Sequence, residues 1–237
     1  MKICLIGDSH SAAVKLAYEA TGYSYPSLKI RFFAARGNGL YGLEVEDKIL
    51  RAEETELKLI KSMQFTSGGI SKIDPEDYDA FICMGLSRGF GRLLKSVLGS
   101  YSRNAKNTAI RDFWRDSLGI SVLRKLRQIT SKPIYLGHAP LAAATKRPGE
   151  KSTHLYESMV KISNELVFKD FEAQLIAQPL KTVVNGLHTK DIYAQGAKRL
   201  DIGIDDLSED LMDRVHMNQE FGELWLSNIS NILKVGP

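Results

Sequence analysis

Apolar residues along this chain gather into short blocks, and polar stretches with helical spacing separate them. The first block, Ile3-Cys4-Leu5-Ile6, has no polar residue inside it and ends in Gly7. A run this short and this apolar predicts a strand buried on both faces. Asp8 or Ser9 then caps a helix whose apolar side is Ala12, Ala13, Leu16 and Ala17, with Gly22 as its stop. Leu28 to Ala34 predicts a second strand, which runs into the turn-rich Arg36-Gly37-Asn38-Gly39. Between about residues 40 and 78 the pattern predicts a small hairpin over Leu43–Leu50 and a loop at Thr66-Ser67-Gly68-Gly69, together an insertion between core strands. Ala80 to Gly85 is a third apolar block, residues 88–128 have a mostly helical pattern, and Pro133 to Gly137 is a fourth strand. A helix over about 152–171, a short strand at Leu175-Ile176-Ala177, a loop-rich stretch and a closing amphipathic helix over about 217–234 complete the reading.

Strands that alternate with helices predict a parallel sheet covered on both faces. Ligands in such folds bind beyond the carboxyl ends of the strands, which draws attention to the segments after strands one, two and three. The length of 237 residues fits one domain spanning 1–237. Apolar and charged contents of 43% and 25% are ordinary for a globular chain, and a net charge of +4 is weak support for nucleic-acid binding. The two cysteines, Cys4 and Cys83, each sit inside an apolar block, as buried small hydrophobes do. The chain opens on a strand-like segment, with no signal-peptide pattern and no apolar run of spanning length, so the expectation is a cytoplasmic protein without a membrane segment.

Candidate chemistry begins at Ser9. It follows the glycine that ends the first strand, at the start of a helix, where its hydroxyl would lie at the ligand edge of the sheet. Helix N–H groups there favour developing negative charge. A serine hydroxyl is a weak nucleophile and needs a base, best supplied by a histidine that a carboxylate orients. Of five histidines, His216 stands out, because Asp213 precedes it by three residues in Asp213-Arg214-Val215-His216, just before the last helix.

Gly7-Asp8-Ser9 after the first strand, paired with Asp213-x-x-His216 before the last helix, resembles the SGNH/GDSL hydrolases. The resemblance implies a three-layer α/β/α fold around a flavodoxin-like, five-stranded parallel sheet. It implies Ser9 as nucleophile, His216 as base and then acid, and Asp213 as the residue that orients the imidazole, with no cofactor and no metal. It also implies an oxyanion hole from the Ser9 N–H, a glycine after the second strand (Gly39 by its offset, Gly37 as the alternative) and a third donor after the third strand. An asparagine usually supplies that donor; here Ser87 stands in its place, in Gly85-Leu86-Ser87. The implied activity is hydrolysis of an ester through an acyl-enzyme, removal of O-acetyl groups from a carbohydrate being the leading case. Acyl transfer is an alternative on the same residues, and a non-catalytic binding protein is an alternative on the same fold.

Two further readings compete. Gly85-Leu86-Ser87-Arg88-Gly89 matches the nucleophile elbow of α/β-hydrolases, with Asp191 and His216 as partners to Ser87. Asp8-Ser9-His10 contains an Asp-x-His pair that could hold a divalent metal, as in metallophosphoesterases. Around the main candidates, His10, Gly37, Asn38, His138 and His188 are candidate pocket residues, a structural role being the plainer reading of His138, while His154 suits a solvated helix. Residues 88–127 are strongly basic, with Tyr101, Phe113 and Trp114 interleaved. The plain reading is a solvated helical face; the sharper one is attraction for an anionic substrate. The expected partner is therefore a small-molecule or glycan ester, with no nucleic acid and no membrane.

Overall fold

A computed structural model describes residues 1–144, 154–198 and 213–234. The first apolar block forms β1 (Lys2–Gly7), in which Ile3, Cys4, Leu5 and Ile6 have no exposed surface. Burying a side chain of this size is worth about 1.5–3 kcal/mol, so the block has a strong reason to occupy the middle of the sheet. After it come α1 (Ala12–Thr21) and β2 (Lys29–Ala34), then a hairpin of β3 (Leu43–Glu46) and β4 (Ile49–Ala52). Next are α2 (Leu57–Ser67), β5 (Lys72–Ile73) and β6 (Ala80–Met84), the third apolar block of the sequence. The basic stretch divides into α3 (Phe90–Val97), α4 (Arg103–Arg115) and α5 (Leu118–Ile129), and β7 (Ile134–Gly137) follows. The chain continues through α6 (His154–Leu166), β8 (Ala173–Ile176), a small ribbon of β9 (Val183–Val184) and β10 (His188–Thr189), and α7 (Gln219–Ile232).

Five of these strands make one parallel sheet in the order β2-β1-β6-β7-β8. Successive side chains point to opposite faces, and the core divides accordingly. Ile3 and Leu5 join Phe32, Ile82 and the apolar sides of α1 and α7. Cys4 and Ile6 join Phe33, Phe81 and Cys83 under α2 to α6. This is a three-layer α/β/α arrangement. Both cysteines are free and buried, and loss of solvation pushes the Cys83 thiol up to about 12.

The first and last helices meet on one face of the sheet. Gly222 of α7 is what permits their approach: a Cβ at that position would lie 2.0 Å from the Ala13 carbonyl oxygen. This contact joins the two ends of the chain that carry Ser9 and His216.

Several segments differ from the sequence reading. The hairpin forms at β3 and β4, closed by Asp47 and Lys48 at φ of 50° and 62°, but residues 40–78 also hold α2 and β5. Helix α2 has a narrow apolar stripe, with Leu59 and Met63 in the core, and its Thr66 hydroxyl accepts from Ala34 N at 2.9 Å. The sixth helix ends at Leu166, and a short 3-10 turn, Phe168–Phe171, completes the stretch in which one helix was expected. Positions 152–153 of that expected helix and positions 199–212 of the expected loop lie outside the described residues. The β9–β10 ribbon was not legible as strands, because two residues a side give no periodicity to read.

Candidate active site

The site lies beyond the carboxyl ends of β1 and β6, two neighbouring strands whose crossovers run in opposite directions along the sheet. Such switch points leave a crevice. Asp8 follows β1, and its carboxylate is almost completely buried. One oxygen accepts from His10 N at 2.9 Å; the other accepts from Arg88 Nη2 at 3.0 Å. Charge-assisted bonds of this kind keep a buried carboxylate satisfied. Gly85, at φ +80°, lies directly beneath: a Cβ there would come within 2.3 Å of Asp8 Oδ1. The start of the turn after β1 is thus fixed from below, and Ser9 is held at its rim.

His216 Nε2 lies 2.9 Å from Ser9 Oγ, across 207 residues of chain. On the far side of the ring, Nδ1 lies 2.6 Å from Asp213 Oδ2. The carboxylate sets the tautomer: Nδ1 carries the proton and donates to Asp213, leaving Nε2 to accept from the serine hydroxyl. The other Asp213 oxygen accepts from the backbone N–H groups of Val215 and His216, each at 3.0 Å. One side chain therefore both builds the local turn and orients the ring. Two bonds tie this turn to the loop after β7: Ala143 N donates to Arg214 O at 2.9 Å, and Arg214 Nη2 donates to Ala143 O at 2.7 Å. Asn218 caps α7 by accepting from Phe221 N at 3.1 Å.

His10 stacks on His216, with ring centroids 5.0 Å apart. Burial lowers its pKa, opposed by the nearby Asp8 carboxylate and reinforced by His216. Among the described residues the buried Nδ1 of His10 has no hydrogen-bond partner.

Two spaces open from Ser9. The larger, about 580 Å³, runs past His10, Gly37, Arg88, Leu141, Leu187, His188 and His216. The smaller is a recess of about 60 Å³, walled by Asp8, Ala12, Ala34, Ala35, Phe65 and Thr66, and it shares Ser9 and Arg36 with the larger space.

The remaining sequence candidates divide. Gly37, His10 and His188 line the larger pocket. His188 Nδ1 lies 3.1 Å from Asn185 Oδ1, and burial, then Lys95 and Arg214, lower its pKa. Asn38 lines a separate hollow on the outer side of Asp8 and Arg88. Three expectations need correction. Gly39 does not offer its N–H to the pocket, because that group donates to Arg36 O at 3.0 Å and opens a 3-10 turn. Ser87 is buried with its hydroxyl against Gly119 at the start of α5, where a Cβ would lie 2.7 Å from its Oγ. It therefore faces away from Ser9, and the nucleophile-elbow reading fails with it, since His216 is engaged with Ser9. His138 is a structural residue: it is buried, stacks on Phe90 at 4.2 Å, donates from Nδ1 to Ala139 O at 2.6 Å and accepts at Nε2 from the Tyr156 hydroxyl at 2.8 Å. Burial pushes its pKa down to about 4.

For the metal reading, the Asp8 carboxylate is occupied by Arg88 and a backbone N–H, which leaves it a poor ligand. Among the described residues no cluster of three or more His, Cys, Asp or Glu side chains suits a metal ion. Sequence reasoning missed Arg88 as the partner of Asp8. Its signal was position, one residue past Ser87 at the ligand edge of β6.

No protein-family model matches the chain, and no curated protein matches it. Among solved structures, the chain is similar to the periplasmic domain of a lipopolysaccharide acetyltransferase from Salmonella ser. Paratyphi A, at 13% identity and a TM-score of 0.47, over 98% of this chain and 83% of that one. It is also similar to a DUF4886 family protein from Bacteroides uniformis ATCC 8492, at 12% identity and a TM-score of 0.41, over 98% of this chain and 83% of that one. Neither likeness assigns an activity to this chain. The expectation of a cytoplasmic location is withdrawn, since the first of these is a periplasmic domain. Among the described residues no helix is long and apolar enough to cross a membrane.

Proposed function

We propose that this chain is a serine ester hydrolase of the SGNH/GDSL type, acting through an acyl-enzyme with Ser9 as nucleophile. The observation that supports it most is the continuous pair of bonds from Ser9 Oγ to His216 at 2.9 Å and from His216 to Asp213 at 2.6 Å. In this reading His216 Nε2 takes the serine proton as Oγ attacks the ester carbonyl carbon. The tetrahedral intermediate collapses, the bond to the alcohol oxygen breaks, and His216 returns the proton to that leaving oxygen. Water then attacks the acyl carbon with His216 again as base, the bond from that carbon to Ser9 Oγ breaks, His216 returns the proton to Oγ, and the free acid departs.

The oxyanion is assigned to the Ser9 N–H, the backbone around Gly37 and the Arg88 guanidinium. Arg88 shares the pocket wall with Ser9, and Asp8 fixes it. It stands in for the missing asparagine with a charged donor. The recess of about 60 Å³ suits an acyl group as short as acetyl. An acyl acceptor other than water uses the same steps, and the products tell hydrolysis from transfer.

A fluorescent organophosphonate is expected to label the folded protein at Ser9, located by peptide mass spectrometry, and Ser9→Ala is expected to abolish both labelling and release of acetate from acetyl esters. Failure of the native protein to label near neutral pH would overturn the reading and leave a binding protein built on a hydrolase-like fold.

A further inference from the structure

The larger pocket has an uneven charge. Arg36, Arg88, Arg92 and Lys95 all reach its wall, and none of the described residues that line it is acidic. Arg88 is paired with Asp8 and is assigned to the oxyanion. Arg92 and Lys95 are different: they are exposed, they lie three residues apart on α3, and among the described residues neither has a carboxylate partner. Positions i and i+3 of a helix share a face, so both charges project together. The neighbouring His188 has its pKa lowered first by burial and then by the charges of Lys95 and Arg214. Like charges on one helix face repel one another, and an anion between them relieves that repulsion.

The arrangement also has a side. The small recess next to Ser9 lies away from Arg92 and Lys95 and suits the acyl half of an ester. Arg36 borders both spaces, but Arg92 and Lys95 line only the larger one and therefore face the other half. We propose that the alcohol part of the substrate carries a fixed negative group, a carboxylate or a phosphate, held by Arg92 and Lys95. This rests on the acyl-hydrolase reading for which half of the ester lies where. The existence of the anion site does not depend on it.

Two measurements test it. The first compares the acetyl esters of methyl glucoside, methyl glucuronoside and methyl glucoside 6-phosphate as substrates at low and high ionic strength. At least one anionic ester is expected to exceed the neutral one in kcat/KM by about tenfold at low ionic strength, with the advantage shrinking as salt rises. The better of the two anions identifies the group. The double variant Arg92→Gln, Lys95→Gln is expected to lose the advantage through KM. Arg111→Gln, an equal change of charge per site on an exposed position of α4, is expected to keep it. The second measurement is calorimetric binding of the three unacetylated glycosides to Ser9→Ala. Binding of an anion but not of the neutral sugar, lost in the double variant, supports the site even where wild type hydrolyses no ester; that outcome overturns the hydrolase reading alone. Equal use of neutral and anionic esters by the wild type, or no preference for an anion in binding, overturns the proposal while leaving the hydrolase reading standing.

Discussion

At the scale of single residues, the arrangement around Ser9 depends on side chains that each do two things. Asp213 accepts two backbone N–H groups through one oxygen and the His216 ring through the other. Asp213→Asn keeps an acceptor for the turn but offers an amide N–H where Nδ1–H now points, so the imidazole is driven to the tautomer with a proton on Nε2. That tautomer cannot take a proton from serine. A loss of kcat of about 10⁴-fold, with KM little changed, is expected from steady-state kinetics. Asp8 likewise caps the turn and fixes Arg88. Arg88→Gln removes a charged donor from the proposed oxyanion hole, and kcat is expected to fall by on the order of 10²-fold. The melting temperature should fall as well, because the buried Asp8 carboxylate loses its ion pair. A variant with unchanged kcat would remove Arg88 from the hole.

At the scale of elements, the loop after β7 carries the pocket wall at Leu141 and is supported by a buried polar chain. The Gln178 N–H donates to the Tyr156 hydroxyl at 2.5 Å, that hydroxyl donates to His138 Nε2, and His138 Nδ1 donates to Ala139 O. The chain is complete only with a neutral imidazole, and burial favours that form, bringing His138 down to about 4 from an ordinary 6.5 against the opposing bond to Ala139 O. The sign follows from proton counting. Between pH 6.5 and pH 4 the unfolded chain binds a proton at His138 that the native chain does not, so stability falls as pH drops through that window and the contribution is constant outside it. At about 1.4 kcal/mol per pH unit the whole loss is about 3 kcal/mol. Urea unfolding at neutral and at mildly acidic pH should show this slope in the wild type and a shallower one in His138→Gln. Equal slopes would mean that the ring is not held neutral by the fold.

At the scale of the whole molecule, the proposed nucleophile and base come from opposite ends of the chain, and the packing of α1 on α7 joins them. Gly222 sits at the closest approach, with no room for a Cβ beside the Ala13 carbonyl. Gly222→Leu forces the two helices apart. It is expected to destabilise the protein by about 1–3 kcal/mol, seen as a lower urea midpoint. Because α7 begins three residues after His216, phosphonate labelling of Ser9 should slow even where the variant remains folded. A folded variant with wild-type labelling would show that the turn at Asp213, and not the helix contact, sets the position of the ring.

The sequence by itself determined the strands of the sheet, since a block as apolar as Ile3–Ile6 or Ala80–Met84 has nowhere stable to lie except between two layers. It also determined the pairing of Asp213 with His216, because three residues of spacing let one turn present both. It did not determine α2, whose apolar stripe is narrow and whose place depends on packing against β2. Which donors face the pocket was likewise decided only by tertiary structure. Ser87 and Gly39 stand at the right distance along the chain from their strands. The direction of a side chain at a strand end, however, and the partner of a backbone N–H, are set by the loops and helices packed around them. Arg88 became visible only when Asp8, 80 residues earlier in the chain, was found beside it. The contact of Ser9 with His216 belongs to the same class. Spacing proposed it, and the close packing of the first helix on the last one brings the two atoms within a hydrogen bond.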